Sequence, residues 1–333
     1  MITRTAPRRQ ARPWQRILAE AVNDPGELLE LLAIDPRRLP PALSAHRQFR
    51  LKVPRPFVEK MERGNPEDPL LRQVWCHLDE LREAPGFVTD PLREQAGRPL
   101  PGLLQKYHGR ALLVVTGACA LHCRYCFRRH FPYGEASGGE MGETLAWLRA
   151  ESSLREVLLS GGDPLSLPDE RLAPLVTALE GIPHLQRLRL HTRLPVVVPQ
   201  RVDDALLGWI GATRLRVVVV IHVNHPRELD PEVGEALNRL ASTGATLLNQ
   251  SVLLRGVNDS VDCLAELSER LFERGVLPYY LHQLDPVAGA VHFEVPVEEG
   301  KALMEALRAR LPGYLVPRLV REEAGSAAKI PIL

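Results

Sequence analysis

The sequence predicts an α/β fold, a partial parallel (β/α)6 barrel preceded by an N-terminal helical region. Two observations carry that expectation. Beyond residue 110 a short apolar run is followed by an amphipathic helical pattern, and this unit recurs six times. The runs are apolar in the way of strands covered by helices in a parallel sheet. Six units are too few for a closed eightfold barrel and suit an open one.

Residues 1–100 read as helices and a linker. From Trp14 to Leu81 apolar residues fall at three and four spacing, as in Leu28, Leu29, Leu31 and Leu32 and again in Leu70, Leu71, Val74 and Leu78. Asp24-Pro25, Asp35-Pro36, Gly64-Asn65-Pro66 and Asp68-Pro69 break the stretch into short helices. Cys76 reads as packing. Pro91 to Leu104, rich in proline and glycine, reads as a linker or wrapped segment entering the main domain, 101–312.

The expected strands are Ala111 to Thr116, Glu156 to Ser160, Leu188 to Thr192, Leu215 to His222, Thr246 to Leu254 and Val276 to Gln283. Helical patterns follow near Glu140 to Ala150, Pro168 to Leu179, Val202 to Ile210, Pro231 to Thr243, Val261 to Arg274 and Val297 to Arg310. Asp230 before Pro231, Gly181 soon after Leu179 and Gly275 after Arg274 are start and stop signals. Residues 313–333 form a C-terminal segment.

Parallel barrels place their chemistry at the carboxyl ends of the strands. After the first run come Cys119, Cys123 and Cys126; after the second, Gly161-Gly162-Asp163-Pro164; after the third, His191-Thr192-Arg193. The fourth ends in His222-Val223-Asn224-His225, the fifth contains Asn249-Gln250-Ser251, and the sixth ends in His282-Gln283-Leu284-Asp285. Each item has a plain structural reading as a turn or a hydrogen-bonded core residue, but together they line one rim.

Three thiols within eight residues gather around one metal centre if they bind a metal at all. A structural zinc site completed by His122 or His130 fits the spacing, as do three cysteines with no metal. The third reading is a [4Fe-4S] cluster with one iron lacking a cysteine and open to a small ligand.

With 333 residues, 45% hydrophobic, 25% charged and a formal net charge of +1, the composition is that of an ordinary soluble protein and gives no basic surplus for nucleic acid. The arginine-rich start, Met1 to Arg16, leads into no signal core, and nothing later is long and apolar enough to span a membrane. Five cysteines, an odd number, argue against a disulfide framework and for a reducing, cytoplasmic location. Only five lysines, Lys52, Lys60, Lys106, Lys301 and Lys329, are candidates for amine chemistry.

Cys119-x-x-x-Cys123-x-x-Cys126, with Tyr125 before the last cysteine and Gly161-Gly162-Asp163 after the second strand, resembles the radical S-adenosylmethionine superfamily. The resemblance implies a [4Fe-4S] cluster on those cysteines and S-adenosylmethionine on the open iron, cleaved by one electron to a 5′-deoxyadenosyl radical. It also implies that Gly161, Gly162 and Asp163 lie against S-adenosylmethionine, where glycine permits close approach.

Further segments resemble the lysine 2,3-aminomutase family: Phe49-Arg-Leu-Lys-Val-Pro-Arg-Pro-Phe-Val-Glu-Lys60, Gly64-Asn-Pro-Glu-Asp-Pro-Leu-Leu71, Arg124-Tyr-Cys-Phe-Arg-Arg129, Asn224-His-Pro-Arg-Glu-Leu229, Asn249 to Asp259 and Val316-Pro to Lys329-Ile-Pro. That family adds pyridoxal 5′-phosphate to the cluster. The resemblance puts Lys329 at the Schiff-base position and Arg128 on the substrate carboxylate, a task suited to a bidentate guanidinium. It puts Asp285 and Glu322 at the distal ammonium of lysine, with glutamate at 322 where the family has aspartate. Tyr107 and Arg110 match positions near pyridoxal phosphate, and His222 and Gln250 positions near S-adenosylmethionine or the cofactor. The run Gly325-Ser-Ala-Ala is poorer in glycine than the family's loop.

The implied activity is conversion of L-lysine to (R)-β-lysine, with an electron donor such as flavodoxin or ferredoxin. The chain ends four residues after Lys329 and has no cysteine beyond Cys263, which resembles the shorter bacterial enzymes that supply β-lysine for elongation factor P. Alternatives are an aminomutase for another amino acid or for free-lysine catabolism, a radical S-adenosylmethionine enzyme without pyridoxal phosphate, and a non-catalytic zinc or iron-sulfur module.

Overall fold

The computed structural model describes residues 12–95, 97–136 and 140–333, so the arginine-rich start before residue 12 lies outside the described residues. Nine strands form one sheet in sequence order: β1 (Leu103–Leu104), β2 (Arg110–Thr116), β3 (Glu156–Gly161), β4 (Arg187–Thr192), β5 (Arg216–Ile221), β6 (Thr246–Val252), β7 (Leu277–His282), β8 (Arg318–Arg321) and β9 (Ile330–Pro331). Strands β2 to β8 pair in parallel, while β1 and β9 are antiparallel edges. The two edges are not paired with each other, so the barrel is open.

Six crossover helices accompany the strands: α1 (Met141–Ala150), α2 (Asp169–Glu180), α3 (Asp204–Ala212), α4 (Pro231–Ser242), α5 (Val261–Glu273) and α6 (Val297–Arg310). Helix α4 shows why the pattern was readable. Asp230 caps it by accepting from the Val233 amide at 2.9 Å, and Val233, Ala236, Leu237 and Leu240 form one buried stripe at helical spacing. Ser260 caps α5 in the same way.

The six expected units are all present, and β8 adds a seventh parallel strand from the C-terminal segment. Four residues with only Leu319 and Val320 buried give too short a run to read as a strand; pairing with Tyr280, Leu281 and His282 of β7 makes it one. A register shift between Asn249 and Gln250 on β6 breaks strict alternation where the strand reaches the rim.

The N-terminal helices do not form a separate core. Trp14, Leu28, Leu29, Phe57 and Leu70 belong to the same apolar cluster as Val157, Leu188, Val219 and Leu247 of the sheet. Lys60 ties this layer to the barrel by donating to the carbonyls of Val196 and Glu228 at 3.0 and 3.1 Å. Cys76 is fully buried against Ala42 and Ala45, as packing predicts. Among the described residues no helix is long and apolar enough to cross a membrane.

Candidate active site

At the carboxyl ends of the strands lies a cavity of about 330 Å³. Cys123, Cys126 and Arg128 form one wall, Glu322 and Lys329 another, and Ser160, His191, His222, Gln250 and His282 come from the strand ends between them. A parallel sheet aligns these ends on one rim, which is why residues distant in sequence meet here.

The cysteine loop follows β2 and is braced from below by buried charge. Arg193 donates to Cys123 Sγ at 2.9 Å, to the Tyr125 hydroxyl at 2.8 Å, to Gln73 at 2.7 Å and to Glu228 at 2.8 Å. Arg124 and Arg129 share the carboxylate of Glu80, and Lys52 donates to the Cys119 carbonyl at 2.9 Å. Burial pushes the Cys119 thiol up and the Cys126 thiol up to about 11, the neighbouring thiols adding to both. Such thiolates need a positive centre between them.

The residues offered for a zinc site are engaged elsewhere. His122 Nδ1 lies 2.8 Å from the Arg50 carbonyl with its ring stacked on Phe49, and His130 Nε2 lies 3.0 Å from the Ala288 carbonyl. Among the described residues no three His, Cys, Asp or Glu side chains are placed to hold a single metal ion. A cluster spreads its thiolates over several irons instead of gathering them on one. Three unpaired thiols on one loop beside two cationic side chains fit that donor set.

The glycine motif has a local structural reason of its own. A Cβ on Gly162 would stand 2.3 Å from the Ala118 carbonyl oxygen, and one on Gly161, where φ is +122°, would stand 2.5 Å from the Thr116 oxygen. These glycines let β3 press against the backbone that leads into the cysteine loop. Asp163 is buried and fully engaged within the chain. Its carboxylate accepts from the Thr192 hydroxyl at 2.7 Å and from the amides of Leu165, Arg193 and Leu194 at 3.0, 2.7 and 3.1 Å. That is a junction between the loops after β3 and β4.

At the opposite wall Lys329 lies 3.2 Å from Glu322 and its ammonium sits over the Tyr280 ring. Burial lowers the Lys329 pKa, while Glu322 pulls it back up. Glu322 also accepts from the Tyr107 hydroxyl at 2.6 Å, so both of its oxygens are held by the chain itself rather than open toward a ligand. Asp285 lines the cavity too, and burial, then Glu322, push its carboxyl up to about 7. Arg110 stacks on Tyr107 at 4.6 Å, leaving its Nε without a partner.

Arg128 reaches the cavity from the cysteine side already paired. Its Nε and Nη2 donate to the two oxygens of Glu94 at 2.7 and 2.8 Å, and Nη1 donates to Ser160 at 3.1 Å. His222 lies 2.9 Å from the Tyr125 hydroxyl, and burial drives its imidazole down to about 3, so the ring is neutral. Buried nitrogens of Gln250, His191 and His282 in the cavity wall have no partner among the described residues. A dry wall with orphaned donors fits a polar ligand.

Along its whole length the chain is 50% identical to L-lysine 2,3-aminomutase of Escherichia coli strain K12, covering 97% of that protein. It is 48% identical to the Haemophilus influenzae protein of the same name over 96% of each chain. The chain belongs to the lysine 2,3-aminomutase family. No protein-family model matches it. A radical SAM methyltransferase from Sphaerobacter thermophilus is similar at a TM-score of 0.44 and 22% identity, over 68% of this chain and 71% of that one.

For a lysine 2,3-aminomutase family member, the cavity brings together every expected site residue except four. Cys119, Gly161, Gly162 and Asp163 lie behind its lining, in the cysteine loop and its support. Sequence reasoning missed Glu94 and Tyr280, had Lys106 only as one of five candidate amines, and noted His191 and His282 only as rim residues. Glu94 stands on a stretch read as linker, where no periodic signal marks it; Tyr280 sits inside a strand and looks like core.

Proposed function

We propose that this chain is an L-lysine 2,3-aminomutase that converts L-lysine to (R)-β-lysine using a [4Fe-4S] cluster, S-adenosylmethionine and pyridoxal 5′-phosphate. The observation that carries the reading is the convergence of Lys329 and the Cys123–Cys126 wall on one cavity from distant parts of the sequence. Cys119, Cys123 and Cys126 would hold the cluster and Lys329 the pyridoxal phosphate. Bound there, these groups supply a carbon-centred radical able to take a hydrogen atom and an aldehyde carbon that tethers the migrating nitrogen.

The chain's own residues provide position and charge. Lys329 is a suitable nucleophile because burial lowers its pKa, favouring the free amine. Arg128 offers a fixed guanidinium to the carboxylate of the substrate. Asp285, and Glu322 once Lys329 is engaged elsewhere, put negative charge where the distal ammonium lies. Apolar Leu104, Leu158 and Leu284 line the cavity and exclude water from a reactive radical. The neutral rings of His191, His222 and His282 add hydrogen-bonding groups without charge.

A one-electron donor such as flavodoxin or ferredoxin would reduce the cluster, and free thiols suit a reducing cytoplasm. Delivery of the product to elongation factor P is the downstream use supported by resemblance to the short bacterial enzymes. The deciding experiment is anaerobic incubation with S-adenosylmethionine, a reductant and L-lysine, followed by chromatography. β-Lysine is expected from the wild type and none from Lys329→Ala. Its absence from fully cluster-loaded wild type, or its persistence in the variant, overturns the reading.

A further inference from the structure

The surroundings of Arg128 contain one carboxylate too many for a simple anion site. Glu94 is buried, at 2% exposure, and occupies the Nε–Nη2 edge of the guanidinium with both oxygens. The same Glu94 Oε1 also lies 2.8 Å from Lys106 Nζ. Two cations thus share Glu94 at the cavity wall, and Lys106 also faces the carboxyls of Glu322 and Asp285.

The arrangement fixes which edge of Arg128 faces the cavity. A guanidinium has five N–H groups in one plane. Glu94 takes one from Nε and one from Nη2, and Ser160 takes one from Nη1. A further Nη1 contact, to the Gly161 carbonyl, is at 3.5 Å, the limit of a hydrogen bond. Among the described residues the second Nη2 hydrogen has no acceptor. The second Nη2 hydrogen, beside an Nη1 hydrogen only weakly held by Gly161, is therefore the donor left for an incoming carboxylate. Phe127 and Phe131 flank the guanidinium at 4.9 and 5.7 Å, so packing as well as hydrogen bonding resists rotation.

We propose that Glu94 is a positioning residue that presents Arg128 to the α-carboxylate of the substrate. The inference rests on the assignment of Arg128 as the carboxylate-binding group. Glu94 does not touch the substrate; it acts through the guanidinium. Burial alone would raise its carboxyl, but Arg128 and Lys106 bring it down to about 2, so it is a permanent anion at working pH.

The test compares L-lysine with cadaverine, the same diamine without the carboxylate. Binding is measured by calorimetry on pyridoxal phosphate-loaded protein without S-adenosylmethionine, so turnover is not the readout. Wild type is expected to prefer L-lysine, and Arg128→Gln to lose that preference. Glu94→Gln is expected to cut the preference about tenfold or more, on the scale of one charge-assisted hydrogen bond, while cadaverine binds as before. If wild type binds both ligands equally, the role of Arg128 fails and the proposal falls with it. If Arg128→Gln loses the preference but Glu94→Gln keeps or strengthens it, the proposal alone is overturned. Should Glu94→Gln lose cadaverine binding too, and so prove misfolded, Glu94→Asp carries the test, since it keeps the charge but withdraws the carboxylate by one methylene. A smaller loss of preference is expected, and an unchanged preference overturns the proposal.

Discussion

Glu322 holds Lys329 at 3.2 Å in the candidate active site, and the pair joins the residue before the terminal loop to the residue after it. The loop 323–328 is thereby pinned at both ends, and the amine has a counter-charge before any cofactor arrives.

Replacing Lys329 with alanine is expected to abolish the covalent pyridoxal phosphate adduct and β-lysine formation. Iron and sulfide content should stay at the wild-type level, because Cys119, Cys123 and Cys126 lie on the other wall. Borohydride reduction of anaerobic protein followed by peptide mass analysis checks the first part. An adduct on another residue would refute it.

Glu322→Gln removes the main group that raises the Lys329 pKa and leaves burial, which lowers it, opposed only by the more distant charge of Asp285. The amine is then free at lower pH. The pH midpoint for pyridoxal phosphate attachment should therefore move down relative to wild type, by about one unit or more for a mostly buried pair. Absorbance during a pH titration of cluster-free protein reads it out.

Asp285 is expected to release a proton when L-lysine binds. Its carboxyl sits up at about 7, so at pH 6 most of it is protonated in the free protein. An ammonium brought beside it favours the charged form, which lowers the pKa and expels the proton. Apparent affinity for lysine should then rise between about pH 5 and pH 7, with a plateau above. Calorimetry in buffers of different ionisation enthalpy measures the release, and Asp285→Asn should remove it.

Gly162→Ala places a methyl group 2.3 Å from the Ala118 carbonyl oxygen, so the backbone entering the cysteine loop has to move. We expect a loss of about 1–3 kcal/mol in stability and a larger proportional loss of iron on reconstitution. Urea unfolding and iron analysis check the two parts separately. Unchanged iron loading would show that the loop tolerates the displacement.

Arg193→Gln leaves Glu228 buried without its cation, although Asn224 and Gln73 still donate to it at 3.0 and 3.1 Å. A cost of about 3–5 kcal/mol follows from breaking a buried pair. Urea unfolding of cluster-free protein measures it, and a loss under 1 kcal/mol would contradict the role given to this pair.

Much of this molecule was legible from local pattern. Alternating apolar runs and capped amphipathic helices located the six units within a few residues, because burial period and capping are local properties. The cysteine spacing was legible as chemistry for the same reason, whereas the role expected of Lys329 came from the family resemblance alone. Strand β8 was not, because four residues with two buried side chains carry no period of their own.

What the sequence by itself determined is the inventory: an open parallel barrel, a three-thiol loop, a terminal lysine and a set of polar strand ends. Tertiary structure alone decided how they are used. It turned Asp163 into a loop junction, gave Gly161 and Gly162 a backbone to pack against, paired Lys329 with Glu322 and set Glu94 on Arg128. The physical reason is that hydrogen bonds and ion pairs between residues far apart in sequence depend on where the sheet brings the strand ends, and no local spacing encodes that.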